Sequence, residues 1–205
     1  MPADTSPAGA PQGFTQPWRE RLPMPAHSTM TDDQRAVAQA LIDGPRKGVY
    51  GPFVALLRSP QLLDRVGKLG EYLRFGSVIE GRIRELVICA VSRELTNQFE
   101  WLMHAPLAVK EGVAQATIDA LYAGARPKHV PPDEEAALDF AHELLATHGA
   151  SEPTYAAALA HFGEQGIVEL TTLIGYFVMV SWVMNVAHTP AQASAQGPAL
   201  AALPP

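Results

Sequence analysis

The sequence is poor in cysteine, in aromatic residues and in charge. Its 205 residues include one cysteine, Cys89, so no disulfide can form within a single chain. Aromatic residues make up 7% of the chain and charged residues 18%, a charge share below the roughly 25% of ordinary soluble domains. A chain this short of charge has either a large core or extensive contacts between subunits.

Basic clusters are also lacking. The formal net charge is −6, and no run of cations is longer than the pair Arg46 and Lys47. Because phosphate neutralisation needs grouped cations, the sequence predicts no nucleic-acid partner. Residues 1–13 lack the apolar region of a secretory signal, and together with the single cysteine this predicts a cytoplasmic protein.

The most apolar segment, Leu170 to Val186, is interrupted by threonine, glycine, serine and asparagine. A membrane helix needs about 20 predominantly apolar residues. The pattern therefore favours a buried core helix, and we expect no membrane contact.

The chain divides into three regions by composition. Residues 1–28 contain repeated prolines, which block helix formation, and are predicted to form a flexible leader. Residues 191–205 are rich in alanine, proline and glutamine and are predicted to form a flexible tail. Residues 29–190 are predicted to form a single helical domain.

Helix signals follow one another through this central region. Thr31 is a plausible N-cap residue, Ser59 and Pro60 can begin a second long helix, and Gly112 can end a later one. No segment has the period-two pattern of a strand, so the sequence predicts an all-α fold. The expected helices are 31–43, 59–74, 79–95, 97–111, 114–123, 133–147, 152–162 and 165–186, with a short apolar stretch at 52–58.

One helix face carries groups that can move protons. Asn97, Glu100 and His104 are three and four residues apart and share one face. Histidine is the natural proton carrier near neutral pH, and a carboxylate one turn away can orient its ring. The alternative is a solvated ion pair on an exposed helix face, which stabilises by only a few tenths of a kcal/mol, on the order of 0.2–0.5.

Glu85 is a second candidate, on the preceding helix. A short connection near Thr96 makes the two helices antiparallel neighbours, which can bring Glu85 close to His104. A surface position for Glu85 is equally compatible with the pattern, because it flanks the apolar stripe of its helix.

Three segments resemble the core of the carboxymuconolactone decarboxylase family. They are Arg82 to Val91, Phe99 to Val113, and Val168 to Val180 with Asn185, within a resemblance that spans residues 50–190. The resemblance implies an alkylhydroperoxidase D-like helical bundle that assembles into homo-oligomers, either trimers or hexamers.

The alkylhydroperoxidase D-like enzymes of this superfamily place two cysteines between the glutamate and the histidine. The corresponding positions here are Asn97 and Glu100, between Glu85 and His104, so both cysteines are absent. Peroxidase chemistry of that kind needs a thiolate and a resolving thiol. The sequence therefore predicts a member of the family without the peroxidase activity.

The decarboxylase branch implies a reaction without metal or organic cofactor on a small carboxylated lactone or related ring compound, as in the catabolism of aromatic compounds. By this resemblance His104 is the general acid and base, with Glu85 and Glu100 as its partners. Two alternatives stay open. One is a non-catalytic, oligomeric small-molecule-binding protein on the same scaffold, and the other is a redox protein that uses Cys89 with an external thiol.

Candidate substrate contacts follow from chemistry. Arg82 or Arg84 can bind a carboxylate as a planar double donor, although either can equally be a surface charge. Phe53 lies in a segment that resembles a pocket-lining loop of the family, with a plain turn and helix cap as the alternative. Tyr50 can supply a phenol and Trp101 part of an apolar ligand wall, although core packing explains both. Asn97 is a further candidate on the polar face of its helix. A metal site at Glu85, Glu100 and His104 is disfavoured, because zinc and non-haem iron sites usually contain at least two histidines.

Overall fold

Eight α-helices account for most of the described part of the chain, which is residues 19–192 and 197–201 of a computed structural model. They are α1 (Asp32–Asp43), α2 (Pro52–Leu56), α3 (Pro60–Phe75), α4 (Gly81–Glu94), α5 (Gln98–Lys110), α6 (Gln115–Tyr122), α7 (Pro132–Thr147) and α8 (Glu152–Ala187). No residue of these two ranges forms a strand, so the all-α prediction is confirmed. Residues 1–18 of the predicted leader, and 193–196 and 202–205 of the predicted tail, lie outside the described residues.

The helix ends follow local capping chemistry. The Thr31 hydroxyl accepts from the Gln34 amide N–H, and the Thr31 N–H donates to the Gln34 side chain, which is a complete capping box for α1. Pro60 lies in the first turn of α3, where its missing N–H costs nothing. Ser59 precedes it, but its hydroxyl makes no capping hydrogen bond.

Helix α4 lies at the centre and contacts α5, α6, α7 and α8. Its apolar side chains divide between two clusters, because the helix is buried on nearly all sides. Ile83, Val87 and Val91 pack into the larger cluster with α3, α7 and α8, whereas Leu86 and Cys89 pack into a smaller one with α5 and α6. This burial is what brings the acidic residue in the middle of α4 into the interior.

Helix α8 is kinked rather than divided. The sequence predicts two helices, 152–162 and 165–186, and the structure has one span in which Gly163 alone is non-helical, with φ 66° and ψ 177°. Glycine occupies this backbone region at little cost, whereas other residues are strained there. By length and composition α8 could cross a membrane, but 56% of its most apolar window is buried inside the protein, so this is weak evidence for a span.

A buried carboxylate ties α8 to the end of α3. Glu169 accepts hydrogen bonds from the Tyr72 hydroxyl at 2.6 Å, the Ser77 hydroxyl at 2.6 Å and the Val78 amide at 2.8 Å. Both carboxylate oxygens thus accept hydrogen bonds, as a buried charge requires.

The C-terminal segment differs from the predicted flexible tail at residues 197–201. Leu200 is 5% exposed and packs into the smaller apolar cluster. The Gln98 side-chain amide bonds both the N–H and the C=O of Leu200, at 2.7 and 2.6 Å, and the Tyr122 hydroxyl donates to the Ala199 carbonyl. The composition suggested flexibility, but one leucine with paired backbone groups is enough to dock this stretch.

Candidate active site

His104 lies between two acidic side chains in the interior. Its Nδ1 is 2.5 Å from Oε2 of Glu85, and its Nε2 is 3.2 Å from Oε2 of Glu100. The three side chains are 4%, 2% and 4% exposed, respectively. The predicted juxtaposition is therefore present, and the solvated ion pair considered as an alternative is wrong. We call these three residues the buried triad.

Local structure explains the arrangement. Glu100 and His104 are one turn apart on α5, and the Asn97 side chain caps this helix by accepting from the Glu100 amide at 3.0 Å. The connection from α4 to α5 is only three residues long, so Glu85 on α4 faces the ring from the opposite side. The Phe177 ring meets the imidazole edge to face, with centroids 5.3 Å apart.

The electrostatics of the triad favour a protonated imidazole. Burial by itself lowers the pKa of His104, but hydrogen bonds to Glu100 and Glu85 and their charges outweigh it, so the pKa is raised. Burial likewise raises the pKa of Glu85, yet His104 and the nearby Arg74 and Arg84 outweigh it, so the pKa is lowered. The two shifts agree on an ion pair between Glu85 and His104.

A small cavity of about 30 Å³ adjoins one end of the triad. Glu100 and His104 line it, whereas Glu85 does not. Such a space holds one or two water molecules. The remaining lining side chains belong to α2, α3, α5 and α8 and the segment before α2, and they are Arg46, Tyr50, Pro52, Phe53, Arg74, Phe99, Met103, Tyr176, Phe177 and Val180.

Two arginines give this cavity a positive wall. Arg46 stacks on the Phe53 ring, with its guanidinium carbon 4.4 Å from the centroid, and its Nη2 donates to the Gly67 carbonyl. The Nε atoms of Arg46 and Arg74 are buried without a hydrogen-bond partner among the described residues. Buried guanidinium donors of this kind are suited to receive a carboxylate.

Tyr176 completes the polar lining. Burial, opposed by Arg46 and Arg74, raises its pKa to about 12, so the phenol is a hydrogen-bond donor across the physiological range. Its hydroxyl lies against α3 at Gly70, where an added Cβ would be 2.1 Å from the oxygen. The glycine therefore permits the close approach that brings Arg74 and Tyr176 to one cavity.

The substrate-binding candidates from the sequence separate in the structure. Tyr50 and Phe53 line the cavity. Arg82 does not, because it is ion-paired with Asp133 and Glu134 at the start of α7. Its planar double donor holds two helices together, which corrects the expectation of a substrate contact.

The other three candidates also have structural partners. The Arg84 Nε donates to Oε1 of Glu85 at 3.3 Å, the carboxylate oxygen that is not paired with His104. Arg84 does not line the cavity, so it supports the triad without a contact to the cavity. Asn97 is occupied by the Glu100 amide and by the Ser181 carbonyl and Asn185 side chain. Trp101 packs against Tyr122 in the smaller apolar cluster, so these positions are structural rather than cavity-lining.

Sequence reasoning did not identify Arg46, Arg74 or Tyr176 as site residues. They come from three separate parts of the chain, and no short spacing connects them. Only the packing of α3 against α8 and of the loop before α2 brings them together. In the part of the chain that the structure describes, no group of three His, Cys, Asp or Glu residues is arranged to hold a metal ion.

Comparison with known proteins shows a partial match to one family model and a likeness to one fold. Residues 60–143 match the model of the carboxymuconolactone decarboxylase family. This segment contains α3, α4, α5 and α6, and with them the whole buried triad. The segment that carries the triad is therefore similar to the carboxymuconolactone decarboxylase family.

Solved structures of the same fold carry peroxidase-related names. One is an uncharacterised peroxidase-related protein from Ralstonia eutropha with an alkylhydroperoxidase AhpD core, 20% identical, covering 84% of this chain and 92% of its own, with a TM-score of 0.68. Another is an uncharacterised peroxidase-related protein from a Silicibacter species, 18% identical, covering 91% and 99%, with a TM-score of 0.70. At these identities the likeness shows the AhpD-like fold, and no curated protein matches the chain.

Proposed function

We propose that this chain is a cofactor-independent decarboxylase or isomerase of a small carboxylated lactone or a related ring compound. The observation that carries the proposal is the buried triad, with its Glu100 end at a cavity that also holds two arginines. Proton transfer needs a group that ionises near neutral pH, and substrate binding needs a counter-charge for the carboxylate.

In this proposal the two acids have different tasks. Glu85 is remote from the cavity and holds the Nδ1 side of His104, which fixes the ring and keeps it basic. Glu100 contacts the other ring nitrogen and lines the cavity beside His104. A proton can thus pass from Nε2 of His104 to Glu100 and from there to the substrate, and the reverse path serves proton abstraction.

For decarboxylation the balance is simple. The bond from the ring carbon to its carboxylate breaks, carbon dioxide leaves, and the electron pair is held as an enolate conjugated with the lactone carbonyl. The Tyr176 phenol and the arginines can stabilise that negative charge. The triad then donates its proton to the carbon, and solvent restores it. Isomerisation uses the same groups in the order base, then acid.

The cavity constrains how a substrate enters. At about 30 Å³ it is too small for a lactone acid in its present form. Arg46 and Arg74 are half-buried, and Met103 is a flexible side chain on the wall. We expect Arg46, Arg74 and Met103 to move as the substrate enters, and the substrate carboxylate to bind the two arginines.

The test is a scan of small carboxylated lactones for carbon dioxide release, followed by kinetics of three variants. His104→Gln and Glu100→Gln should each lower kcat by about 10²–10⁴-fold, the usual worth of general acid–base catalysis. His161→Gln, at an exposed position of α8, is the matched control and should leave kcat unchanged. Full activity in His104→Gln would contradict the proposal.

The arginines have their own test. Arg74→Gln should raise KM by at least tenfold, because it removes a charge-assisted contact. Arg65→Gln on the same helix is its control, since Arg65 is exposed and donates to the Gln61 carbonyl. Equal KM values for the two variants would show that the substrate does not use Arg74.

The peroxidase-like alternative finds no support at Cys89. The thiol is fully buried in the smaller apolar cluster, and burial and the charge of Glu85 raise its pKa well above the usual range. A buried neutral thiol is a poor nucleophile. Turnover of an organic hydroperoxide with dithiothreitol, lost in Cys89→Ser and kept in His104→Gln, would favour this alternative instead.

We also propose that the chain forms homo-oligomers. Leu69, Tyr72 and Val168 are 40%, 47% and 64% exposed and line one shallow groove between α3 and α8. A contiguous exposed apolar surface of this kind is typical of a subunit contact. Sedimentation velocity should show a multimer that Val168→Glu weakens and Val186→Glu, near the other end of α8, does not.

A further inference from the structure

A second cleft, of about 220 Å³, lies between α4, the connection from α6 to α7, and α7. None of its lining residues lines the cavity at the triad. Its volume is about seven times that of a water molecule in the liquid, enough for a small organic molecule. The lining is mainly apolar, with Ala90, Leu121, Pro127, Leu138 and Leu145 among its members.

Arg93 is the unusual residue of this cleft. It is 5% exposed, and its Nη1 donates to the Ala201 carbonyl at 2.7 Å. Its Nε is buried without a hydrogen-bond partner among the described residues. None of the described carboxylates forms an ion pair with Arg93, although the charge of Glu94 attracts it. Arginine does not shed its proton in proteins, so the site holds a buried positive charge with an unused donor.

The other cation of the cleft is already compensated. Arg126 is two-thirds exposed and forms ion pairs with Asp139 and Glu135 at 2.7 and 3.5 Å. Among the described residues Arg93 forms no ion pair with a carboxylate, which matches a ligand with one negative charge. The acidic residues Glu94 and Asp139 in the lining disfavour a doubly charged anion such as phosphate.

We propose that this cleft is a second binding site, which takes a small monocarboxylate with an apolar body. The carboxylate bonds the Nε edge of Arg93, and the apolar body packs on Ala90, Leu121 and Leu138. The site is separate from the proposed reaction and does not depend on it. Arg93 also donates to the Ala201 carbonyl, so one side chain joins this site to the docked C-terminal segment.

The experiment is calorimetric titration of the full chain with benzoate, using benzyl alcohol as a neutral probe of similar shape. Benzoate should bind the wild type at least tenfold more tightly than benzyl alcohol. Arg93→Gln should weaken benzoate binding at least tenfold, and Arg126→Gln, which alters a paired cation of the same cleft, should change it less than twofold. Equal benzoate affinity in the wild type and Arg93→Gln would overturn the proposal.

Two further variants distinguish the cleft from the cavity at the triad. Ala90→Phe fills the cleft and leaves Arg93 intact, so it should abolish binding even if Arg93→Gln perturbs the fold. Arg74→Gln removes a cation from the cavity at the triad and should leave the benzoate affinity within twofold. Loss of binding in Arg74→Gln with retention in Ala90→Phe would assign the anion to the triad cavity and refute the second site.

Discussion

Replacing Glu85 by glutamine tests the electrostatic description of the triad directly. The side chain keeps its size but loses the charge that faces Nδ1 of His104 at 2.5 Å. A hydrogen bond to a charged group contributes about 1.5–3 kcal/mol, and we expect a loss of stability in that range. The larger cost of about 3–5 kcal/mol for an orphaned buried charge should not be reached, because the ring can release its proton.

The two pKa shifts determine how this loss of stability depends on pH. The folded-state pKa of His104 is raised above 6.5, so its contribution is complete below pH 6.5 and is lost as pH rises through the raised value. The pKa of Glu85 is lowered below 4.5, so its contribution is present above pH 4.5 and is lost as pH falls through the lowered value. The ion pair therefore stabilises most between pH 4.5 and 6.5.

Urea denaturation of the wild type and of Glu85→Gln at pH 3, 5.5 and 9, at one protein concentration, measures this dependence. The difference in unfolding free energy should be largest at pH 5.5 and smaller on both sides. Glu94→Gln is the matched control, because Glu94 is exposed on the same helix. A difference below about 0.5 kcal/mol, the usual range for surface substitutions, or one that does not vary with pH, would refute the reasoning.

Three other predictions address the scaffold. Burial raises the pKa of Glu169, but hydrogen bonds from Ser77 and Tyr72 outweigh this effect and hold the pKa at about 2. Glu169→Gln should therefore cost about 1–3 kcal/mol above pH 4.5 and progressively less as pH falls towards 2. Urea titrations measure this dependence. Gly163→Ala should destabilise by about 1–3 kcal/mol through its backbone conformation, since no described residue outside its own neighbours lies within 4 Å of the added Cβ. Gly175 is helical and equally open, so Gly175→Ala should be neutral or stabilising. Thermal unfolding of both variants tests this. Leu200→Asp should release the docked C-terminal segment and raise the hydrogen-exchange rate of the Leu200 position at least tenfold, while Leu200→Met should not.

The helices could be predicted from sequence because their limits are set locally. Thr31, Asn97 and Pro60 act within one turn of the chain, and their chemistry is visible in the sequence. The kink in α8 was harder to assign. Gly163 signals a break, but whether the two helical pieces continue as one depends on their packing against the core.

Half of the site could also be predicted from local sequence signals. Glu100 and His104 share a helix face by spacing, and the short connection near Thr96 implied that Glu85 lies opposite. The arginines of the cavity were not visible, because Arg46 and Arg74 are separated by a whole helix and meet only through tertiary packing. Arg82 was misassigned for a related reason, since its partners on α7 are about 50 residues away.

The charge of Glu85 has opposite consequences for the two proposed chemistries. It lies one turn from Cys89 on α4, and its charge raises the pKa of both His104 and the thiol. For the imidazole this favours the protonated form, which can act as a general acid. For the thiol it means suppression of the thiolate, which peroxidase chemistry requires. One buried negative charge therefore favours the proposed acid–base chemistry at His104 and disfavours thiolate chemistry at Cys89.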